Sequence, residues 1–210
     1  MPRRKLRTPE LKQRLTDAAV EVLSREGPGG FTTRGVAGAA DTSTPAVYEL
    51  FGDRAGLVRE VFFEGFRVLR LQLAEAPESD DPAADLRALG VAYRAFMNEK
   101  PQLAAVMFSR PFSDFDPGPS ELEAGTSVRT LIVHRVQRCV DAGILHGDTT
   151  DIAHALVALI QGLGQAEISS RLGTTRRSVD RRWELAIDAM LAGLRVDQSS
   201  NRARARRGAP

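Results

Sequence analysis

Apolar positions recur at intervals of three and four residues along most of the chain, which is the spacing of amphipathic helices. The clearest case is the segment 53–75, whose apolar side chains repeat in this way: Leu57, Val61, Phe62, Phe66, Leu69 and Leu73. No run of β-branched residues alternates with polar ones for long enough to predict a strand. The pattern therefore predicts an all-α protein.

Glycine, proline and short polar stretches divide this pattern into separate helices. The predicted helices cover about 9–26, 34–40, 44–51, 53–75, 83–99, 102–109, 120–142, 150–172 and 175–196. The acidic stretch 76–82 is the predicted internal boundary. The stretch 110–118 is rich in turn-forming residues, which predicts a mobile loop.

The second and third predicted helices are short and are joined by a polar break. Hydroxyl and carboxylate side chains stand where helix caps are needed, and a glycine stands where the third helix must stop: Thr32 or Thr33, Ser43, Asp53 and Gly52. Pro45 falls in the first turn of the third helix, where proline is tolerated. Two short helices around a tight turn are typical of a helix-turn-helix, whose second helix enters the major groove of DNA.

This interpretation assigns a role to particular side chains. Hydroxyl and cationic groups are predicted to contact phosphates: Thr33, Ser43, Thr44, Tyr48 and Arg54. Apolar side chains of the third helix are predicted to meet base edges, for instance thymine methyls: Pro45, Ala46 and Val47. Arg34 is a candidate for a base or phosphate contact.

The same stretch resembles the DNA-binding domain of the TetR family of bacterial transcription regulators. The family pattern is matched at nine positions: Thr33, Val36, Ala37, Ala40, Ser43, Tyr48, Phe51, Arg54 and Leu57. The chain departs from this pattern at four positions: Asp41, Thr42, Pro45 and Leu50. The resemblance implies a helix-turn-helix domain over 8–53, followed by a larger helical domain over 54–196 for effector binding and dimerisation.

The region from about Tyr93 to Leu172 also resembles a common C-terminal domain of that family. In the family's late W-x-x-x-H-G motif this chain keeps Gly162 but has Val157 and Gln161 at the other two positions. The resemblance implies a homodimer formed through the last two helices. It also implies a small-molecule effector, whose identity the sequence does not specify.

Soft and aromatic side chains in the middle helices are the candidates for an apolar effector pocket. They are Phe66, Tyr93, Phe96, Met97, Met107 and Phe108, with Gln161 or Gln165 as polar groups. An ordinary helical core would contain the same residue types, so both interpretations stay open.

Charge is distributed unevenly, although the formal net charge is only +2. The termini 1–7 and 197–210 are basic and are predicted to be flexible, whereas acids concentrate in the middle of the chain. The basic arm and tail can contact DNA or can simply be solvated.

Other functional classes find less support in the sequence. It has no glycine-rich phosphate loop and no G-x-S-x-G, so no enzyme activity, catalytic residue or cofactor is predicted. His146, Asp148, Asp151 and His154 are close in sequence, but acids at a helix start explain the pattern better than a metal site does. Cys139 is the single cysteine, and with no apolar span or signal sequence it predicts a cytoplasmic protein without a membrane segment.

These observations together predict a dimeric, TetR-like regulator that binds a near-palindromic operator in double-stranded DNA. The favoured form is a repressor released by a small apolar effector. The alternatives are an activating or ligand-independent regulator and, in a different class, a helical adaptor that binds only proteins.

Overall fold

A computed structural model describes residues 8–195 of the chain, and within that range the protein is helical. Its helices are α1 (Pro9–Gly30), α2 (Thr33–Ala39), α3 (Thr44–Phe51), α4 (Arg54–Ala74), α5 (Pro82–Glu99), α6 (Pro101–Phe108), α7 (Pro119–Ala124), α8 (Thr126–Asp141), α9 (Thr149–Ile168) and α10 (Arg176–Gly193). The described residues form no strand, apart from an isolated antiparallel bridge between Leu145 and Arg195. The all-α prediction is confirmed. The two basic termini lie outside the described residues.

The helices group into two units. Of the described residues, one unit contains 8–73 together with 95–128, and the other contains 74–94 together with 129–195. The helix-turn-helix therefore shares a unit with most of α4 and with α6 and α7. The predicted division into a domain over 8–53 and a second over 54–196 stays a prediction.

The first helix begins as its sequence predicts and ends differently. The Thr8 hydroxyl accepts a hydrogen bond from the Leu11 amide at 3.1 Å, and Pro9 occupies the first turn. The helix was predicted to end near residue 26. It is interrupted at Gly27, whose φ of +68° is accessible to glycine, and then forms one further helical turn as far as Gly30.

The helix-turn-helix is fixed by local hydrogen bonds. The Thr32 hydroxyl accepts from the Gly35 amide at 3.0 Å, and the turn is closed by the Thr42 amide, which donates to the Ala37 carbonyl at 2.9 Å. Gly52 ends α3 with a φ of +81°, as predicted. Asp53 then caps α4 by accepting from the Gly56 amide at 2.7 Å, which confirms its predicted role.

A small apolar core holds this motif against α1 and α4. It consists of side chains with at most 2% of their surface exposed: Leu15, Ala19, Val22, Leu23, Phe31, Val36, Val47, Leu57 and Val58. The ion pair between Lys12 and Glu60, 2.7 Å from nitrogen to oxygen, joins the outer surfaces of α1 and α4. The core fixes which face of α3 remains outside.

The stretch 110–118 is irregular, as predicted, but it is anchored. Phe112 packs on Phe31 with ring centroids 5.4 Å apart, and Phe115 packs on Phe62 at 5.6 Å. Both loop phenylalanines are 4% exposed. The prediction of a mobile loop is wrong at these two positions, because each aromatic ring buries itself in the core of the first unit.

The single helix predicted over 120–142 is two helices, α7 and α8, which are separated at Gly125. A Cβ atom at Gly125 would lie 3.2 Å from the Phe66 ring, so the glycine permits the close approach of α4. Glu121 of α7 is 3% exposed and forms an ion pair with Arg59 of α4. This pairing places α7 against α4.

In the second unit, α9 and α10 are shorter than predicted. The predicted end of α9 was residue 172, but Ser170 adopts a φ of +56° and the Arg171 amide turns back to the Ala166 carbonyl at 2.7 Å. Thr175 caps α10 by accepting from the Ser178 amide. The helix α10 ends at Gly193, with Leu194 as its C-cap, short of the predicted end at residue 196. None of the helices in the range 8–195 is long and apolar enough to cross a bilayer.

Candidate nucleic-acid interface

The structure brings together two of the side chains predicted to contact phosphates. The Thr33 hydroxyl at the start of α2 lies 3.4 Å from the Tyr48 hydroxyl in α3, and either oxygen can donate. Thr33 is half-buried and Tyr48 is 48% exposed. The two hydroxyls therefore form a small polar site on the outer side of α2 and α3.

Around this site the outer surface contains further predicted residues. Arg34, Ser43 and Pro45 are exposed, and Thr44 is half-buried. Ser43 occupies the cap position of α3, but its side chain makes no capping hydrogen bond. The Ser43 hydroxyl is thus not used by the helix and can bind a phosphate oxygen.

The prediction that Ala46 and Val47 meet base edges is wrong. Ala46 is 1% exposed and Val47 is fully buried, since both face the core shared with α1 and α4. A side chain without exposed surface cannot contact DNA while the domain stays folded. Of the three apolar residues predicted to meet bases, only Pro45 lies on the surface.

Arg54 is engaged inside its own unit. Its Nη1 atom lies 2.7 Å from both carboxylate oxygens of Asp114, and its Nε–H donates to the Phe31 carbonyl at 3.4 Å. The guanidinium carbon also stands 4.8 Å from the ring centroid of Phe112. Asp114 pairs with the Arg54 guanidinium in this structure, and the phosphate contact of Arg54 stays a prediction.

An exposed acidic side chain on α3 was not among the predicted residues. Glu49 lies one turn after Pro45 and is exposed beside Tyr48. Counting one helical turn from Pro45 would have found it, because positions separated by four residues share a helix face. The prediction from sequence omitted it because an acid has the charge opposite to that expected at a DNA surface.

The candidate effector residues fall into two groups, one in each unit. In the first unit the Phe66 and Phe108 rings meet edge to face at 6.0 Å, and Phe96 and Met97 are buried. Met107 is so close to α4 that a Cβ atom at Gly65 would lie 2.6 Å from its sulfur. This group is well packed.

The second group is a polar pair made of a buried tyrosine and a half-buried glutamine. Gln161 Nε2 donates to the Tyr93 hydroxyl at 2.8 Å, and Tyr93 is 2% exposed. Burial raises the pKa of Tyr93 to about 12. Gln165 is exposed on α9 and does not join this pair, so its place in an effector pocket stays a prediction.

Asp148 caps the start of α9, and Asp151 lies in the first turn of that helix. The Asp148 carboxylate accepts from the amides of Thr150 at 2.9 Å and Asp151 at 3.0 Å, which confirms the helix-start interpretation. His146 and His154 bond to separate backbone carbonyls, those of Leu194 and Thr150. Among residues 8–195 no three histidine, cysteine or acidic side chains are grouped so that they could hold a metal ion.

Cys139 is fully buried, and its thiol lies 3.2 Å from the Pro82 carbonyl. Burial raises the pKa of this thiol, which favours the unreactive protonated form. The single cysteine is therefore part of the core of the second unit.

Two family models match the chain. The model described as "Bacterial regulatory proteins, tetR family" matches residues 15–61, which include α2 and α3. The model described as "Tetracyclin repressor-like, C-terminal domain" matches residues 86–190. No curated protein matches the chain.

Solved structures share the fold over nearly the whole chain. A protein of unknown function from Rhodococcus sp. RHA1 is 27% identical, with a TM-score of 0.76 over 92% of this chain and 100% of that one. A bacterial regulatory protein in the tetR family from Rhodococcus RHA1 is 24% identical, with a TM-score of 0.66 over 90% and 100%. The TetR family transcriptional regulator PfmR from Thermus thermophilus is 18% identical, with a TM-score of 0.64 over 87% and 100%.

Proposed function

Because the chain belongs to the TetR family of bacterial DNA-binding transcription regulators, we propose that it acts as a homodimeric repressor of a near-palindromic operator. In this proposal each subunit inserts α3 into a major groove. The two helices contact half-sites about 34–36 Å apart, one turn of the duplex.

The observation that carries the proposal is the Thr33–Tyr48 hydroxyl pair on the outer side of α2 and α3. Two adjacent hydroxyls can donate hydrogen bonds to the phosphate oxygens that fix a recognition helix in its groove. The Ser43 hydroxyl, which makes no capping hydrogen bond in α3, can do the same. The core beneath holds α3 rigidly, since Ala46 and Val47 are buried. A helical adaptor that binds only proteins has no need for this polar surface.

Dimerisation through the last two helices is supported by the exposed side of α9. Small residues recur there at helical spacing: Ala155, Ala158 and Gly162 are exposed. Leu185 of α10 is 68% exposed and offers apolar surface to a second copy. Small residues let a second copy approach closely, so Gly162→Arg should convert a dimer into monomers in analytical ultracentrifugation.

Release by a small apolar effector is the switching part of the proposal. An effector can shift the protein off DNA only if it binds the DNA-incompetent state more tightly. The candidate residues are the aromatic and methionine group of the first unit and the Tyr93–Gln161 pair of the second. An activating or ligand-independent regulator is the alternative. In either case the place of action is the cytoplasm, where a bacterium keeps its operators.

The experiment is a fluorescence anisotropy titration with duplex DNA from the region flanking the protein's own gene. A scrambled duplex of equal length and composition is the matched control, and both are measured at two salt concentrations. We expect tighter binding to the flanking DNA than to the scrambled duplex. Both duplexes should bind more weakly at higher salt, because cationic side chains of the protein release counterions when they bind phosphates. Equal affinity for the two duplexes would contradict the proposal for that DNA region, and genomic fragment selection would then test it for the rest of the genome.

A further inference from the structure

The outer face of α3 has an unusual composition for a helix that enters a major groove. Pro45, Tyr48 and Glu49 are exposed, whereas Ala46 and Val47 are buried and Leu50 and Phe51 are half-buried. The helix from Thr44 to Phe51 contains no arginine, lysine, asparagine or glutamine. Those are the side chains that most often read guanine or adenine.

The remaining exposed groups differ in what they can read. Pro45 has no side-chain hydrogen-bonding group and can make only apolar contacts. The Tyr48 hydroxyl lies 3.4 Å from Thr33 of α2, which places it at the junction of the two helices. Glu49 has a carboxylate, which accepts hydrogen bonds and donates none at neutral pH.

A carboxylate discriminates among bases in the major groove. Cytosine presents only the N4 amino donor there, adenine has its N6 amino donor beside the N7 acceptor, guanine presents two acceptors, and thymine presents an acceptor and a methyl group. A carboxylate is therefore attracted most by cytosine, is attracted less by adenine because the adjacent N7 repels it, and is repelled by the acceptors of guanine and thymine. It is also repelled by phosphates, so it weakens binding to DNA that offers no compensating donor.

We propose that Glu49 is a specificity-determining residue that reads a cytosine in each half-site and disfavours non-cognate DNA. This inference rests on the proposed function, since it requires α3 to enter the major groove. Glu49 follows Pro45 by one helical turn, or about 6 Å along the axis. The cytosine should therefore lie about two base pairs from the base that Pro45 contacts.

The substitutions Glu49→Gln and Glu49→Ala separate the two effects of the carboxylate. Glutamine has nearly the same shape but both donates and accepts, which suits the N6 and N7 atoms of adenine. We expect E49Q to change the preferred base at that position from cytosine to adenine, and E49A to remove the preference. The discrimination that is lost should be roughly 5- to 150-fold, the range for one good base contact. Both variants should bind non-cognate DNA more tightly than the unsubstituted protein.

Glu21→Gln is the matched control. Glu21 is an exposed glutamate of α1 that pairs with Arg25 four residues later, at 3.0 Å. Glu21→Gln removes one negative charge, as Glu49→Gln does, but on a different helix. E21Q should keep the base preferences of the unsubstituted protein.

The test is selection of bound duplexes from a randomised pool by the full-length protein and the three variants, followed by competition titrations. Circular dichroism and thermal unfolding first establish that each variant is folded, which we expect because Glu49 and Glu21 are exposed. A cytosine position that changes in E49Q and relaxes in E49A, but not in E21Q, supports the inference. Selective binding with the same base preferences in all four proteins overturns the inference and leaves the proposed function standing. No selective binding by the unsubstituted protein overturns both.

Discussion

Arg54 at the start of α4 donates from one guanidinium nitrogen to both carboxylate oxygens of Asp114, at 2.7 Å each. The guanidinium also stacks over Phe112, which itself packs on Phe31 of the helix-turn-helix core. A cation next to the recognition helix is therefore neutralised by the stretch 110–118. Both partners are more than one-third exposed, at 37% and 41%, so solvent screens the pair and its stabilisation is about 0–1 kcal/mol.

The first prediction follows from that weak pairing. Asp114→Asn removes the carboxylate that occupies Arg54, so the guanidinium becomes available to a DNA phosphate. We expect tighter DNA binding, with a slope of log K against log salt steeper by about 0.9, the value for one added phosphate contact. Salt-dependent anisotropy titrations measure both quantities.

Asp116→Asn is the control for this prediction. Asp116 lies in the same stretch and is 84% exposed, and it pairs with Arg110 at 2.8 Å. Asp116→Asn removes one negative charge, as Asp114→Asn does, but leaves the partner of Arg54 in place. Equal effects of the two substitutions would show that only the overall charge matters, and would refute a specific role for the Arg54–Asp114 pair.

The second prediction uses the exposed tyrosine. Tyr48→Phe removes the hydroxyl that lies beside Thr33 and keeps the ring, so the fold of α3 should be unaffected. We expect DNA affinity to fall by about 1.5–3 kcal/mol for all sequences alike, the range for a hydrogen bond to a charged group. Affinity that stays unchanged in this variant would remove Tyr48 from the interface.

The third prediction uses the buried tyrosine as the counterpart of Tyr48. Tyr93→Phe leaves the Gln161 side chain without its bonding partner inside the second unit. We expect a loss of about 0.5–1.5 kcal/mol in the free energy of unfolding, measured by urea denaturation, because Gln161 is half-buried and water partly replaces the lost hydroxyl. DNA affinity of the folded variant should not fall as it does in Tyr48→Phe, so the two tyrosines separate binding from stability.

The fourth prediction concerns alkaline pH. Burial raises the pKa of Tyr93 from 10.0 to about 12, so the unfolded chain releases this proton at lower pH than the folded protein does. The contribution of Tyr93 protonation to the free energy of unfolding is therefore fully present below pH 10. It is lost between about pH 10 and 12, by about 2–3 kcal/mol in total. The measurement is the free energy of unfolding against pH for the unsubstituted protein and Tyr93→Phe. Parallel curves for the two proteins would contradict the assignment.

The fifth prediction compares two glycines. A Cβ atom at Gly56 would lie 1.9 Å from the Phe51 carbonyl oxygen, so Gly56→Ala must displace the junction between α3 and α4. We expect a loss of at least about 1–3 kcal/mol in the free energy of unfolding, with weaker DNA binding. Gly38→Ala in α2 meets nothing within 4 Å and should be neutral or stabilising by up to about 1 kcal/mol. Similar losses for both variants would show that the crowding at Gly56 relaxes easily.

The sequence predicted those parts of the fold that depend on local chemistry. Gly52 and Asp53 are where the end of α3 and the cap of α4 were expected, because a stop and a cap need only one or two suitable residues. The burial of Ala46 and Val47 could not be predicted in the same way. Either face of a short apolar helix can turn inward, and the packing of α1 and α4 decides which one does.

The partners of distant residues were beyond local patterns. Asp114 is 60 positions from Arg54, so no spacing rule connects them. The anchoring of Phe112 and Phe115 was missed for the same reason, since the turn-forming residues around them predict a mobile loop. Glu49 was missed although its helical position was available, because its charge is opposite to that expected at a DNA surface.

The most direct test of the account is a hydroxyl-radical footprint of the protein on an operator fragment that it selects. Two protected regions about one turn apart on the same face of the duplex are expected from two α3 helices in successive major grooves. Tyr48→Phe should weaken both regions together. A single protected region, or protection spread evenly along the fragment, would contradict recognition by a pair of α3 helices.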